Sequence, residues 1–277
     1  MTTVTTVTTV ATVTTVAAVQ MISTPDVAEN IATARRLVAE AAAGGAQLVA
    51  LPEYWPIMGL TDTDKVGHAE QQGYGPIQDF MAEAAREHKV WLVGGTLPLV
   101  SAEPGKVMNT TLVYDPEGRS VGRYDKIHLF GFTKGDESYD EARTIVPGSA
   151  LSVLDTPFGR VGIAVCYDLR FPEMFRAMGE CRLMIVTAAF THTTGMAHWE
   201  VLLRARAIEN QCYVLAAAQG GTHRNGRRTF GHSMLIDPWG NVKAVLAEGE
   251  GVITGEIEPD FLVSVRESLP ALKHRKL

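Results

Sequence analysis

The sequence predicts an α/β chain in four layers, two packed mixed sheets with helices outside. Short apolar runs suited to buried strands recur in two blocks along the 277 residues, helical stretches interleave with them, and no long linker separates the blocks. Residues 16–277 therefore read as one domain. On pattern alone a doubly wound single sheet also satisfies the alternation. At 46% hydrophobic and 20% charged, the chain has material for one large core. The balance of 25 basic against 31 acidic residues, net charge −6, argues against a nucleic-acid surface. The sequence has no apolar run of the roughly 18 residues that a membrane span requires. Cys166, Cys181 and Cys212 lack paired spacing, so a disulfide framework or zinc site is a poor reading and a reducing cytosol the expected compartment.

The first 15 residues, nearly pure Thr and Val with a period close to three, match neither the strand's two nor the helix's 3.6 and read as a low-complexity extension. An added edge strand is the alternative. Ordered sequence begins with the apolar run Val16 to Met21. Val27 to Ala43 then reads as a helix with Ile31, Ala34, Leu37, Val38 and Ala41 on one face, ended by Gly44-Gly45. Leu48 to Leu51 is a buried strand stopped by Pro52. Ile77 to Glu87 is helical, and Val90 to Gly95 is a strand. Asn109 to Tyr114 and Ser120 to Tyr124 flank the turn Asp115-Pro116-Glu117-Gly118. In the second half, Val161 to Val165 is a strand running into Cys166, Pro172 to Gly179 a short helix and Leu183 to Ala188 a strand. His198 to Asn210 is a helix, followed by strands at Tyr213 to Ala218, Ser233 to Asp237 and Val242 to Ala247.

Three polar positions stand out against this apolar grammar. Cys166 ends a buried strand where the chain turns toward a helix, and amides in such a turn can face a developing oxyanion. Taken singly, a buried cysteine is more often a small hydrophobe, the reading given to Cys181 and Cys212. Glu53 also follows a strand, and Lys126 lies among semi-apolar neighbours. Each alone reads as a solvated charge, but strand ends converge where α/β sheets bind ligands. His192 and His198, six apart, fit no metal motif, so no metal and no cofactor is expected. The histidines lack the local signature of a papain-like partner for Cys166.

Leu51-Pro52-Glu53, Tyr124-Asp125-Lys126-Ile127-His128 and Val165-Cys166-Tyr167-Asp168-Leu169-Arg170-Phe171-Pro172-Glu173, in that order, resemble the three signatures of the carbon–nitrogen hydrolase (nitrilase) superfamily. The resemblance runs from about Val16 to the C-terminus. It implies an αββα sandwich and a Glu53–Lys126–Cys166 triad. A second glutamate before a Pro-Gly is best matched by Glu141, with Glu137 as the alternative. It further implies that hydrolysis is split through a thioester: Glu53 takes the thiol proton, while Lys126 and the Tyr167 amide face the oxyanion. Glu141 orients Lys126. A free thiol and a free carboxylic acid differ by about four pKa units, roughly 5–6 kcal/mol against the transfer. A dry pocket with Lys126 and the turn's amides beside the sulfur is expected to narrow that gap.

Cys166-Tyr167-Asp168 departs from the Cys-Trp-Glu of nitrilases proper and favours amide over nitrile substrates. The segment Ala197 to Tyr213, with Ala216 to Gly221 and Gly231 to Met234, resembles the Nit subgroup. The implied substrate is deaminated glutathione, cleaved to 2-oxoglutarate and cysteinylglycine. The alternatives are an ω-amidase acting on 2-oxoglutaramate, an N-carbamoyl-amine hydrolase, and a binding protein without catalysis. Tyr54, Phe130, Arg170, Phe190, Thr191 and Arg224 are expected near substrate, with Arg227 or Arg228 as further partners for its carboxylate. Arg170 and Glu173 are expected to brace the Cys166 turn as an ion pair. The same resemblance implies a homodimer or higher homo-oligomer, with the C-terminal Leu269 to Lys276 expected to reach toward a neighbour.

Overall fold

The computed structural model describes residues 12–135 and 137–276. Of the extension expected over residues 1–15, the first 11 lie outside the described residues. Thr14 already belongs to β1 (Thr14–Gln20). There follow α1 (Val27–Ala43), β2 (Leu48–Ala50), the short α2 (Asp64–Gly67), α3 (Pro76–His88), β3 (Trp91–Val93), β4 (Leu97–Val100), β5 (Val107–Tyr114) and β6 (Ser120–Asp125). A largely exposed hairpin, β7 (Gly131–Lys134) and β8 (Glu137–Asp140), precedes β9 (Ile145–Val146). The second half runs β10 (Ser152–Thr156), β11 (Gly159–Val165), α4 (Pro172–Ala177), β12 (Leu183–Ala188), α5 (His192–Asn210) and β13 (Tyr213–Ala218). It ends with β14 (Ser233–Ile236), β15 (Val242–Leu246), β16 (Gly251–Ile257), α6 (Pro259–Ser268) and α7 (Ala271–His274).

Two mixed sheets result, in place of the single doubly wound sheet. One has the order β16-β1-β2-β3-β5-β4 with β6 and β9 on β5; the other runs β10-β11-β12-β13-β14-β15. Strand periodicity explains why they stack. Val16 and Ala18 of β1, with Leu48 and Ala50 of β2, pack into a core shared with β11, β12 and β13. The alternate residues Ala17, Val19 and Val49 pack against α1 and α3. Both faces of these strands are therefore buried, which is why they read as continuous apolar runs. Trp199, Leu203 and Ala207 of α5 and Phe175 of α4 close the second sheet's outer face. The layers are helix, sheet, sheet, helix.

Helix boundaries follow local chemistry. Asp26 caps α1 by accepting from the Ala28 and Glu29 amides at 2.8 and 3.1 Å. Helix α5 begins at His192 rather than at His198. Thr191 caps it, its hydroxyl accepting from the Thr194 amide. Gly195, a breaker by propensity, is needed inside this helix, because a Cβ there would overlap the Phe230 ring. The C-terminal segment docks on its own chain: the Gln211 amide group donates to the Leu269 carbonyl at 2.6 Å and accepts from the Leu272 amide. No helix among the described residues is long and apolar enough to cross a membrane.

Candidate active site

Glu53 follows β2 of the first sheet, and Cys166 follows β11 of the second. The site thus lies where both sheets end, not over one sheet edge. Glu53 is fully buried. Its Oε1 accepts from Lys126 Nζ at 2.9 Å and from Asn109 Nδ2 at 3.0 Å, and its Oε2 accepts from the Ala189 amide at 2.8 Å. Asn109 lies on β5 and Ala189 just past β12, so groups from both sheets fix the carboxylate.

Lys126 is also fully buried. Its ammonium donates to Glu141 Oε2 at 2.7 Å and Oε1 at 3.0 Å as well as to Glu53. Burial alone would lower its pKa, but Glu141 and Glu53 together hold it well above the usual lysine value. Glu141 answers in kind. Burial pushes it up, yet Lys126, the Phe130 amide at 2.7 Å and the Tyr54 hydroxyl at 2.8 Å keep it below the ordinary carboxylate value. The Pro147-Gly148 that follows has a packing role: the Gly148 amide donates to the Lys126 carbonyl at 2.9 Å. A Cβ at Gly148 would collide with the Asp125 carbonyl.

Cys166 has φ 49°, the left-handed region that non-glycine residues seldom occupy. The next residues coil at once into a 3₁₀ turn, Cys166–Arg170. Contrary to the expectation of a lowered thiol, its pKa stands well above the ordinary cysteine value. Burial is the main cause and Glu53 adds to it by charge and by a hydrogen bond; Lys126 opposes them but its charge is shared by two carboxylates.

Asp168, rather than an Arg170–Glu173 pair, braces this turn. Its Oδ2 accepts from the Val165 amide at 2.8 Å and the Tyr124 hydroxyl at 2.7 Å. Its Oδ1 takes the His128 amide at 3.1 Å and lies 2.7 Å from His128 Nδ1. One buried carboxylate therefore ties the cysteine turn to the segment that carries Lys126. Arg206 of α5 adds two bonds to the Leu169 carbonyl. Asp168→Ala is expected to cost about 2–4 kcal/mol, because buried donors lose their acceptor; equilibrium urea unfolding measures it. A cost below about 0.5 kcal/mol, the scale of an ordinary surface change, would remove Asp168 from this role.

A cavity of about 410 Å³ opens beside Glu141, with Tyr54, Phe130, Lys65 and Arg227 in its wall. Of the residues expected near substrate, Tyr54 and Phe130 face this cavity and also bond Glu141. Arg170 instead stands over the rings of Tyr167 and Phe190, at 5.9 and 5.2 Å, and bonds His198. Glu173 is exposed. Phe190 is buried against Trp199, and the Thr191 hydroxyl is used in the α5 cap. Arg224 turns outward to Glu29, and Arg228 pairs with Glu248. Arg227 and Arg228 both line the cavity, and Arg227 also donates to the Ala189 carbonyl at 2.7 Å. Lys65 in the cavity wall, and Asn109 and the Ala189 amide on Glu53, are neighbours of the site that sequence reading missed.

An αββα sandwich holding a thiol, an ammonium and two carboxylates where its sheets end defines a hydrolase of carbon–nitrogen bonds. Residues 15–267 match the carbon–nitrogen hydrolase family, and the chain belongs to it. It is 41% identical over 262 residues to a deaminated glutathione amidase of Yersinia enterocolitica, covering 93% of this chain and 91% of that one. It is 36% identical over 261 residues to the omega-amidase NIT2-A of Xenopus laevis, covering 93% of each. The crystal structure of the C. elegans NitFhit protein matches 95% of this chain with a TM-score of 0.84 at 36% identity, and this chain spans 65% of that one. The chain is an enzyme acting on amides.

Proposed function

We propose that this enzyme hydrolyses deaminated glutathione to 2-oxoglutarate and cysteinylglycine through a thioester on Cys166. The observation that carries the reading is the buried set in which Glu53 and Glu141 share the Lys126 ammonium beside the Cys166 thiol. Burial and Glu53 both favour the thiol over the thiolate, so attack and proton loss belong to one event in this reading. The sulfur bonds to the amide carbon while Glu53 accepts its proton. The tetrahedral oxyanion is met by Lys126 and by the Tyr167 amide at the opening of the 3₁₀ turn, where helix amides lack internal acceptors. Collapse breaks the C–N bond, and Glu53 returns the proton to the leaving amine. Water then attacks the thioester, Glu53 takes its proton and passes it to the departing sulfur. Glu141 keeps Lys126 charged and aimed.

The identity to an amidase of this name supports the dipeptide leaving group. The likeness to an omega-amidase supports a second reading, in which 2-oxoglutaramate is the substrate and ammonia leaves. Assaying purified enzyme on both amides separates them: the first reading expects the higher kcat/KM on deaminated glutathione. A preference for 2-oxoglutaramate installs the second, and no turnover of either removes both.

Residues 16–277 act as one catalytic domain in this reading. A reducing cytoplasm suits it, since all three cysteines are free and buried. So does a homodimer, because Met196, Val201 and Ile208 of α5 are exposed apolar side chains that a second copy would cover.

A further inference from the structure

The two carboxylate oxygens of Glu53 are used unequally. Oε1 accepts from Lys126 Nζ at 2.9 Å and from Asn109 Nδ2 at 3.0 Å, which occupies both of its lone pairs. Oε2 accepts from the Ala189 amide at 2.8 Å and keeps its second lone pair. The hydrogen bond between Glu53 and the Cys166 thiol therefore has Oε2 as its open acceptor.

Asn109 holds Glu53 and Lys126 at once. It lies on β5, is 2% exposed and stands outside the wall of the cavity beside Glu141. The antiparallel pairing of β5 with β6 sets Thr110 opposite Asp125, so Asn109 and Lys126 meet at the next rung. There the Lys126 amide donates to the Asn109 carbonyl at 3.0 Å. A carboxylate oxygen can only accept, so the Asn109 side chain must turn its NH2 toward Glu53. Its Oδ1 is left buried, with no hydrogen-bond partner among the described residues. Such an orphan acceptor is costly, and a leucine of similar size would remove it. Packing alone does not call for asparagine here; the donor aimed at Glu53 does.

We propose that Asn109 is a positioning residue that, together with Lys126, closes Oε1 of Glu53 and so makes Oε2 the oxygen that carries the proton throughout the reaction. This rests on the reading of Glu53 as the base and deepens it. The thiol proton arrives on Oε2 as the sulfur bonds to carbon, and it leaves from Oε2 to the departing amine. Oε2 then takes the proton of the attacking water and passes it to the sulfur. Without the Asn109 donor, Oε1 has an open lone pair of its own. A proton that settles there, beside the Lys126 ammonium, is held away from the sulfur and is lost to the next transfer.

Asn109→Leu tests this, because it keeps the main-chain bond to Lys126 and removes only the side-chain donor. On whichever of the two candidate amides wild type cleaves faster, kcat is expected to fall by about 10–100-fold, the scale of a hydrogen bond to a charged group. KM should stay within about threefold, since Asn109 does not reach the cavity. A second measurement needs no amide substrate: alkylation of Cys166 by iodoacetamide, followed by peptide mass mapping. There the sulfur–carbon bond forms, iodide leaves and the thiol proton passes to Glu53. The alkylation rate should fall by a similar factor in Asn109→Leu. In the Glu53→Gln background the same substitution should cost no more than about threefold, because the residue acts through Glu53. An unchanged rate in Asn109→Leu, or losses that multiply in the double variant, overturns the proposal. Glu53→Gln alkylated as fast as wild type removes the base itself, a failure distinct from that of Asn109. Should Asn109→Leu not fold, Asn109→Ala carries the same expectations and the same refutations.

Discussion

Cys166→Ala is expected to reduce amide turnover by at least about 10⁴-fold, because the covalent route disappears and only binding and oxyanion contacts remain. The fold should survive. Alanine removes one buried sulfur and tolerates the φ of 49° about as well as cysteine does. Intact-mass analysis under turnover supplies the complementary reading: wild type gains the mass of the acyl group on Cys166, and the variant gains none. The resting pKa of this thiol, raised by burial and by Glu53, adds a kinetic expectation. Glu53→Gln should depress acylation by about 10²–10⁴-fold, since Glu53 is the carboxylate whose charge and hydrogen bond bear on the thiol. Activity of the alanine variant within tenfold of wild type would refute the thioester mechanism outright.

Lys126→Met is expected to damage stability more than either of these changes, and to lower the rate as well. Removing it takes away an oxyanion donor, worth about 10²–10³ in rate. It also leaves Glu53 and Glu141 facing each other, buried, with no cation between them. Breaking a buried ion pair in this way costs about 3–5 kcal/mol. The pH dependence identifies the cause. In wild type the lysine is raised, so its contribution is present below the unfolded lysine pKa of about 10.4 and lost only as pH rises through the folded value. Glu141 is depressed, so its contribution is present above the unfolded carboxylate pKa of about 4.3 and lost as pH falls through the folded value. Between those limits the cluster is at full strength. In Lys126→Met, Glu141 loses the charge that chiefly depresses it and should rise with its burial, and stability should then fall as pH increases from 5 to 8. Urea midpoints across that range measure the effect. A variant whose stability stays parallel to wild type would mean that the cluster is not electrostatically coupled.

How far such a site can be read from sequence depends on where its atoms reside. Leu183–Ala188 and Tyr213–Ala218 are legible to the residue, because parallel strands buried on both faces must be apolar throughout. The β7–β8 hairpin is not, since its exposed polar residues carry no periodicity. Strand β16 and helix α6 also escaped; α6 buries little beyond Pro259, Leu262 and Val265. Glu53, Lys126 and Cys166 each read blandly alone, and are legible because the three motifs that carry them come in an order that resembles the carbon–nitrogen hydrolase signatures. The Ala189 amide leaves no mark in any sequence, being backbone. Asn109 and Arg227 become neighbours of the site only through long-range packing, and Arg224 looks equivalent to Arg227 until the loop is folded.

The origin of Glu53 and Cys166 in opposite halves of the sandwich has a practical corollary. A partly assembled protein, with each half formed but not mated, would keep its secondary structure and possess no enzyme at all. Loss of turnover on heating should therefore coincide with the earliest slippage between the halves and precede any change in far-ultraviolet circular dichroism, which makes catalysis itself a gauge of their docking.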